Sequence, residues 1–117
     1  MNNKPQYHLF KNTQYAIDGL VHAFKTESSF KLELIAGIFI FAAIFFIDIS
    51  IVQKLILTAT AFLVLIVELL NSAIENVVDL VTKDIHPLAK SAKDIGATAV
   101  MFSIALHLTC WFVILIF

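Results

Sequence analysis

The sequence predicts an all-α integral membrane protein, with one amphipathic surface helix followed by three transmembrane helices. Three observations carry that expectation. The chain of 117 residues is 60% hydrophobic and 15% charged, too little polar material to cover a water-soluble domain of this size. Its last stretch, Ile95 to Phe117, holds no Asp, Glu, Lys or Arg and is long enough to cross a bilayer. Its beginning, Phe10 to Thr26, instead divides its residues between two faces at helical spacing.

The surface helix is expected over 10–26. Phe10, Ile17, Leu20, Val21 and Phe24 fall on one face, and Lys11, Gln14, Asp18, His22 and Lys25 on the other. That division suits a helix lying on the bilayer rather than through it. The first membrane helix is expected at about 31–48, with Lys31 and Glu33 snorkelling at its start. Asp48-Ile49-Ser50 supplies a tight turn. The second, at about 52–80, is apolar from near Leu55 through Val67 and then continues as one helix into the interface. His86-Pro87-Leu88-Ala89-Lys90 reads as a loop, and the third membrane helix is placed at about 94–117. The whole chain, 1–117, is expected to be a single membrane domain.

Charge sets the expected orientation. The chain has no arginine; Lys4, Lys11, Lys25 and Lys31 precede the first span, and Lys83, Lys90 and Lys93 lie between the second and third. Only Lys54 falls on the other side. The positive-inside rule then puts the N-terminus in the cytoplasm and the C-terminus in the periplasm. The single Cys110 leaves no internal disulfide and no metal-ligand spacing. No early apolar stretch leads to a small-residue cleavage site, so a cleaved leader is not expected.

The most informative stretch is Glu68 to Asp79, at the end of the second apolar run. On a helix, Glu68, Asn71, Ser72, Glu75 and Asp79 share one face. Ionisable groups at such depth are costly, and they usually have a task or a partner. Clustered carboxylates suit a hard divalent cation and also supply a base. With the expected orientation, Glu27, Glu33, Glu68, Glu75, Asp79, Lys93 and Asp94 gather at one membrane face, the side of ATP and Mg²⁺.

Glu68-Leu69-Leu70-Asn71-Ser72-Ala73-Ile74-Glu75-Asn76-Val77-Val78-Asp79 resembles the signature of the small prokaryotic diacylglycerol kinases, E-x-[LIVM]-N-[ST]-[SA]-[LIV]-E-x-x-V-D. Every specified position is filled. Glu27-Ser28-Ser29-Phe30-Lys31-Leu32-Glu33 is similar to the family's E-x-x-F-x-x-E, and Ala92-Lys93-Asp94-Ile95-Gly96 to its A-K-D-x-G. The resemblance covers essentially the whole chain.

The resemblance implies a homotrimeric lipid kinase whose active sites are shared between subunits at the cytoplasmic interface of the inner membrane. It implies that Glu68 is the general base toward the lipid hydroxyl, and that Glu27 and Glu75 hold the Mg²⁺ bridging the ATP phosphates. Asn71 orients the site and Lys93 binds phosphate, with Asp94 and Glu33 in support. Ala97, where the family often has serine, falls beside the lipid, and Asp79 takes a structural role. The expected reaction is phosphorylation of diacylglycerol to phosphatidic acid.

The chemistry of the residues agrees with that reading. Phosphoryl transfer asks mainly for positioning and for neutralisation of phosphate charge. Glu68 and Glu75 lie about 10 Å apart along a helix, so one can serve the lipid hydroxyl and the other the nucleotide. The glycines are Gly19, Gly37 and Gly96, and no G-x-x-x-x-G-K-[ST] loop exists, which excludes an ordinary nucleotide-binding fold. Simpler readings stand beside these: Asn71 and Ser72 as helix-packing groups, and Lys93 and Asp94 as caps of the third span. His107 reads as an interhelical hydrogen-bonder, Trp111 as an anchor at the outer interface, and the phenylalanines of 39–46 as lipid-facing. Two alternatives remain. An undecaprenol kinase of the same family is suggested by the 86–90 stretch. A small multidrug-type transporter would instead need four spans and a midplane carboxylate.

Overall fold

A computed structural model describes residues 8–117; Lys4 of the orientation argument lies outside them. They form four helices, α1 Leu9–Thr26, α2 Ser28–Phe46, α3 Ile51–Val81 and α4 Pro87–Ile116, and no strand occurs among the described residues. Three of the helices, α2 to α4, are long and apolar enough to cross a membrane. The protein is a multi-pass membrane protein with an additional N-terminal helix.

Two helix starts differ from the sequence expectation, each for a local reason. α2 begins at Ser28 rather than about 31, so Glu27 is the one extended residue between α1 and α2 (φ −108°, ψ 100°). α4 begins at Pro87 rather than about 94. Proline at the first helical position lacks only an N–H that would have no intrahelical partner, and its fixed φ suits the helix. The preceding His86 caps the turn, its Nδ1 accepting from the Leu88 amide at 3.1 Å. The stretch read as a loop is therefore the first turn of a helix.

The α2–α3 turn is closed by side chains. Ser50 Oγ accepts from the Gln53 amide at 3.1 Å, and the Gln53 carboxamide oxygen accepts from the Ser50 amide at 2.9 Å, a reciprocal capping box that satisfies two end donors of α3. Lys54 Nζ donates to the Phe45 carbonyl at 2.8 Å, covering a free acceptor at the end of α2. α2 itself stops at Phe46, two residues short of the expected Asp48.

α3 is the spine. It buries Leu57, Val64, Glu68 and Asn71, and α4 buries Gly96, Ser103 and His107, with Asn71 against Gly96 and Thr60 against His107. Their spacing of three, four and seven residues makes a continuous stripe on each helix. Small residues on α4 let the backbones approach closely, as membrane helices require where no hydrophobic effect drives them together. His107 bridges the seam: Nδ1 lies 2.7 Å from Thr60 Oγ1, and Nε2 accepts from the Trp111 indole at 2.9 Å. The interhelical role expected of His107 is present, whereas the polar end of Trp111 is bonded to its own helix neighbour. α2 packs on α3 more sparingly, burying only Phe30 and Ile44, while Phe39, Phe41, Phe45 and Phe46 are exposed on a surface suited to lipid.

Helix length locates the polar residues. α3 has 31 residues, about 46 Å at 1.5 Å each, against a hydrocarbon core of about 30 Å. With Ser50 at the far boundary, the core ends near Leu70. Glu68 sits at that boundary, and Asn71 to Asp79 project beyond it.

Candidate active site

The break at Glu27 turns the top of α2 toward the projecting end of α3. Between them opens a cleft of about 370 Å³ lined by Glu27, Glu33, Glu68, Asn71, Ser72 and Glu75, with Ala97 and Val100 of α4 as its wall. Thr26, Ser28 and Ser29 add hydroxyl groups at its rim. Four carboxylates, one from the break at Glu27, one from α2 and two from α3, thus meet at the level where the helices leave the hydrocarbon. They repel one another, and only a cation or protons relieve that.

Asn71 is the organising group. Its Nδ2 donates to Glu75 Oε1 at 3.2 Å, while its Oδ1 is buried with no hydrogen-bond partner among the described residues, as is Glu33 Oε2. Each is an acceptor able to receive a proton donor or a cation. The carboxamide occupies the space above Gly96: a Cβ there would collide with Asn71 Oδ1 and lie 3.2 Å from Cγ. Glycine at 96 is therefore a steric requirement of where Asn71 stands.

Lys93 and Asp94 were expected in the same group, and neither lines the cleft. Lys93 precedes Ala97 by one helical turn and pairs with Asp79 at 2.7 Å; Asp94 pairs with Lys90 at 2.6 Å. Asp79 in turn lies one turn past Glu75, so the Asp79–Lys93 pair forms a step directly above the cleft. Thr26, Ser28 and Ser29 were missed by the sequence reading, although the cluster of small polar residues around the helix break was visible in it. Among the described residues no three His, Cys, Asp or Glu side chains stand close enough to enclose a metal ion.

A membrane protein whose helix ends carry a buried glutamate, a carboxamide and further carboxylates around one cleft has the form of an enzyme acting at the membrane surface. The family model of prokaryotic diacylglycerol kinase matches residues 14–115. The diacylglycerol kinase of Pseudomonas aeruginosa is 36% identical over 104 residues, covering 89% of this chain and 85% of its own. That of Haemophilus influenzae is 34% identical over 110 residues, covering 94% and 93%. That of Escherichia coli K12 is 34% identical over 107 residues, covering 92% and 88%. The chain belongs to the prokaryotic diacylglycerol kinase family. It is a lipid kinase and so uses a nucleotide co-substrate, which sets the transporter reading aside.

Proposed function

We propose that the whole chain acts as one ATP-dependent kinase unit that phosphorylates diacylglycerol to phosphatidic acid at the cytoplasmic face of the inner membrane. The observation that carries this is the convergence of Glu27, Glu33, Glu68 and Glu75 on one cleft at the hydrocarbon boundary. A lipid hydroxyl can reach that level without leaving the membrane, and a nucleotide can reach it from water.

In this reading the hydroxyl oxygen of diacylglycerol attacks the γ-phosphorus. The bond to the β-phosphate oxygen breaks, ADP leaves, and Glu68 takes the hydroxyl proton. Glu68 is 6% exposed, which keeps competing water away from it. Asn71 fixes Glu75 through the carboxamide bond, and Glu33 and Ala97 border the lipid headgroup. Lys93 receives phosphate charge from one turn above the cleft, its long side chain exchanging Asp79 for a phosphate oxygen, with Asp94 beside it.

The donor set fits Mg²⁺. Glu27 and Glu75 offer hard carboxylate oxygens in one cleft. Mg²⁺ is commonly held by one or two carboxylates, with water and phosphate oxygens completing its shell, so a protein cage of three is unnecessary. When bound, the ion would neutralise phosphate charge. A homotrimer with shared active sites is part of the same proposal and accords with the open single-chain cleft.

The test is phosphate transfer from labelled ATP in mixed micelles, with diacylglycerol and undecaprenol offered separately and Mg²⁺ present. Faster transfer to diacylglycerol is expected. A preference for undecaprenol would keep the chemistry and change the substrate. Transfer to neither by the folded protein would sink the proposal.

A further inference from the structure

Well below the cleft, the α3–α4 seam carries a second polar group that the reaction does not use. His107 is 7% exposed and sits between Thr60 of α3 and Trp111 of its own helix. The indole N–H only donates, so His107 Nε2 accepts and the ring proton belongs on Nδ1, facing Thr60 Oγ1 at 2.7 Å. The threonine hydroxyl then donates to the α3 backbone, with the Ile56 carbonyl at 3.0 Å and that of Leu57 at 3.1 Å. The ring's two nitrogens and the threonine hydroxyl all have partners. Such a closed network is a fastener between helices rather than a ligand site.

Its placement matters. Eleven residues separate Asn71 from Thr60 on α3, and eleven separate Gly96 from His107 on α4. The Asn71–Gly96 and Thr60–His107 contacts therefore belong to one antiparallel register, about three turns and 16 Å apart. Moving α4 by one turn either way would set Ala92 or Val100 against Asn71. Both carry the Cβ that the carboxamide excludes at this point.

We propose that the Thr60–His107–Trp111 network is the register pin that holds Gly96 against Asn71, which makes His107 a positioning residue for phosphoryl transfer although it touches no substrate. The proposal rests on the reading of Asn71 and Glu75 as working groups of the site. Displacing the Asn71 carboxamide would release Glu75, so turnover must fall whatever happens to binding.

The experiment uses the full chain in lipid-containing micelles. Trp111, the only tryptophan, reports the network by its emission. Register is read separately, by a disulfide between Val64→Cys and Ser103→Cys in a Cys110→Ser background, a pair that shares the same alignment. His107→Leu is expected to shift Trp111 emission, slow formation of the disulfide and lower kcat about tenfold. His107→Gln, which can still accept and donate, should restore most of all three. Thr60→Val should lower kcat in the same direction, and the double variant should be no worse than His107→Leu alone, since that change already removes the Thr60 bond. Should His107→Leu fail to fold, Thr60→Val carries the same readouts.

Unchanged emission, an unchanged disulfide rate, or a kcat within about twofold of the parent would each overturn the proposal, as would a raised KM at constant kcat. A parent protein that transfers no phosphate would overturn the kinase chemistry and the positioning role together. The emission and disulfide readouts would then still show separately whether the pin holds the register.

Discussion

The two seams on α3 are built differently. Toward α4 the contact is close, with a glycine under a carboxamide and a histidine bonded across the gap. Toward α2 it is apolar and loosely filled, leaving a groove of about 340 Å³ lined by residues such as Leu34, Phe41, Ala61 and Leu65. The α3–α4 seam disfavours a one-turn slip, because Ala92 or Val100 would then meet Asn71, whereas methyl and methylene contacts tolerate sliding. Glu68, Asn71 and Glu75 stand on α3, held by the specified seam, while Glu33 on α2 and Glu27 at its head arrive across the permissive one. The site therefore joins a fixed half to an adjustable half.

The largest expected effect tests the fixed half. Glu68→Gln should lower turnover by about 10² to 10⁴-fold, the range of a lost general base, with the thermal unfolding profile kept. Activity near the parent's would remove Glu68 from the chemistry and with it the importance of the fixed half.

Gly96→Ala comes next. Its methyl group must displace Asn71, so turnover should fall about tenfold and stability by about 1–3 kcal/mol, as overpacking does. The matching change on the other seam, Gly37→Ala, places its Cβ 3.9 Å from Leu65 Cδ1, an ordinary contact. It should leave turnover unchanged. Equal losses at the two glycines would dissolve the distinction between the seams, and both are read by parallel turnover and unfolding measurements.

Asp79→Asn should be milder and appear in a different quantity. It frees Lys93 from its 2.7 Å pairing, so the KM for nucleotide should fall a few-fold, the scale of an exposed pair, while the lipid KM holds. A rise instead would mean that Asp79 aims Lys93 rather than detaining it. The smallest effect is Gly19→Ala on α1, where a Cβ meets nothing within 4 Å. It should stabilise the surface helix by about 0.5–1 kcal/mol, measured as a small gain in unfolding temperature with no change in turnover.

The cluster on α3 was legible in the sequence because Glu68, Asn71, Ser72, Glu75 and Asp79 obey helical spacing, a property of one element alone. The start of α4 was not, since Pro87 and the nearby charges suggest a break, whereas His86 as cap and proline at the first position make a beginning. The pairing of Lys93 with Asp79 depends on how two helices align, which periodicity does not encode. The rim hydroxyl groups of Thr26, Ser28 and Ser29 depend on the bend at Glu27. Trp111 was read from its depth as an interface anchor, although its four-residue spacing from His107 already placed both on one face.

The turn remote from the cleft has a consequence for how the protein reaches its membrane. Between α2 and α3 lie only Ile47 to Ser50, and the nearby ionic groups are Asp48 and Lys54, the latter already bonded to the Phe45 carbonyl. A hairpin so closed carries little polar matter through the hydrocarbon during biogenesis, and its amide groups are largely satisfied before it enters. α2 and α3 are thus shaped to enter the bilayer together as one helical hairpin.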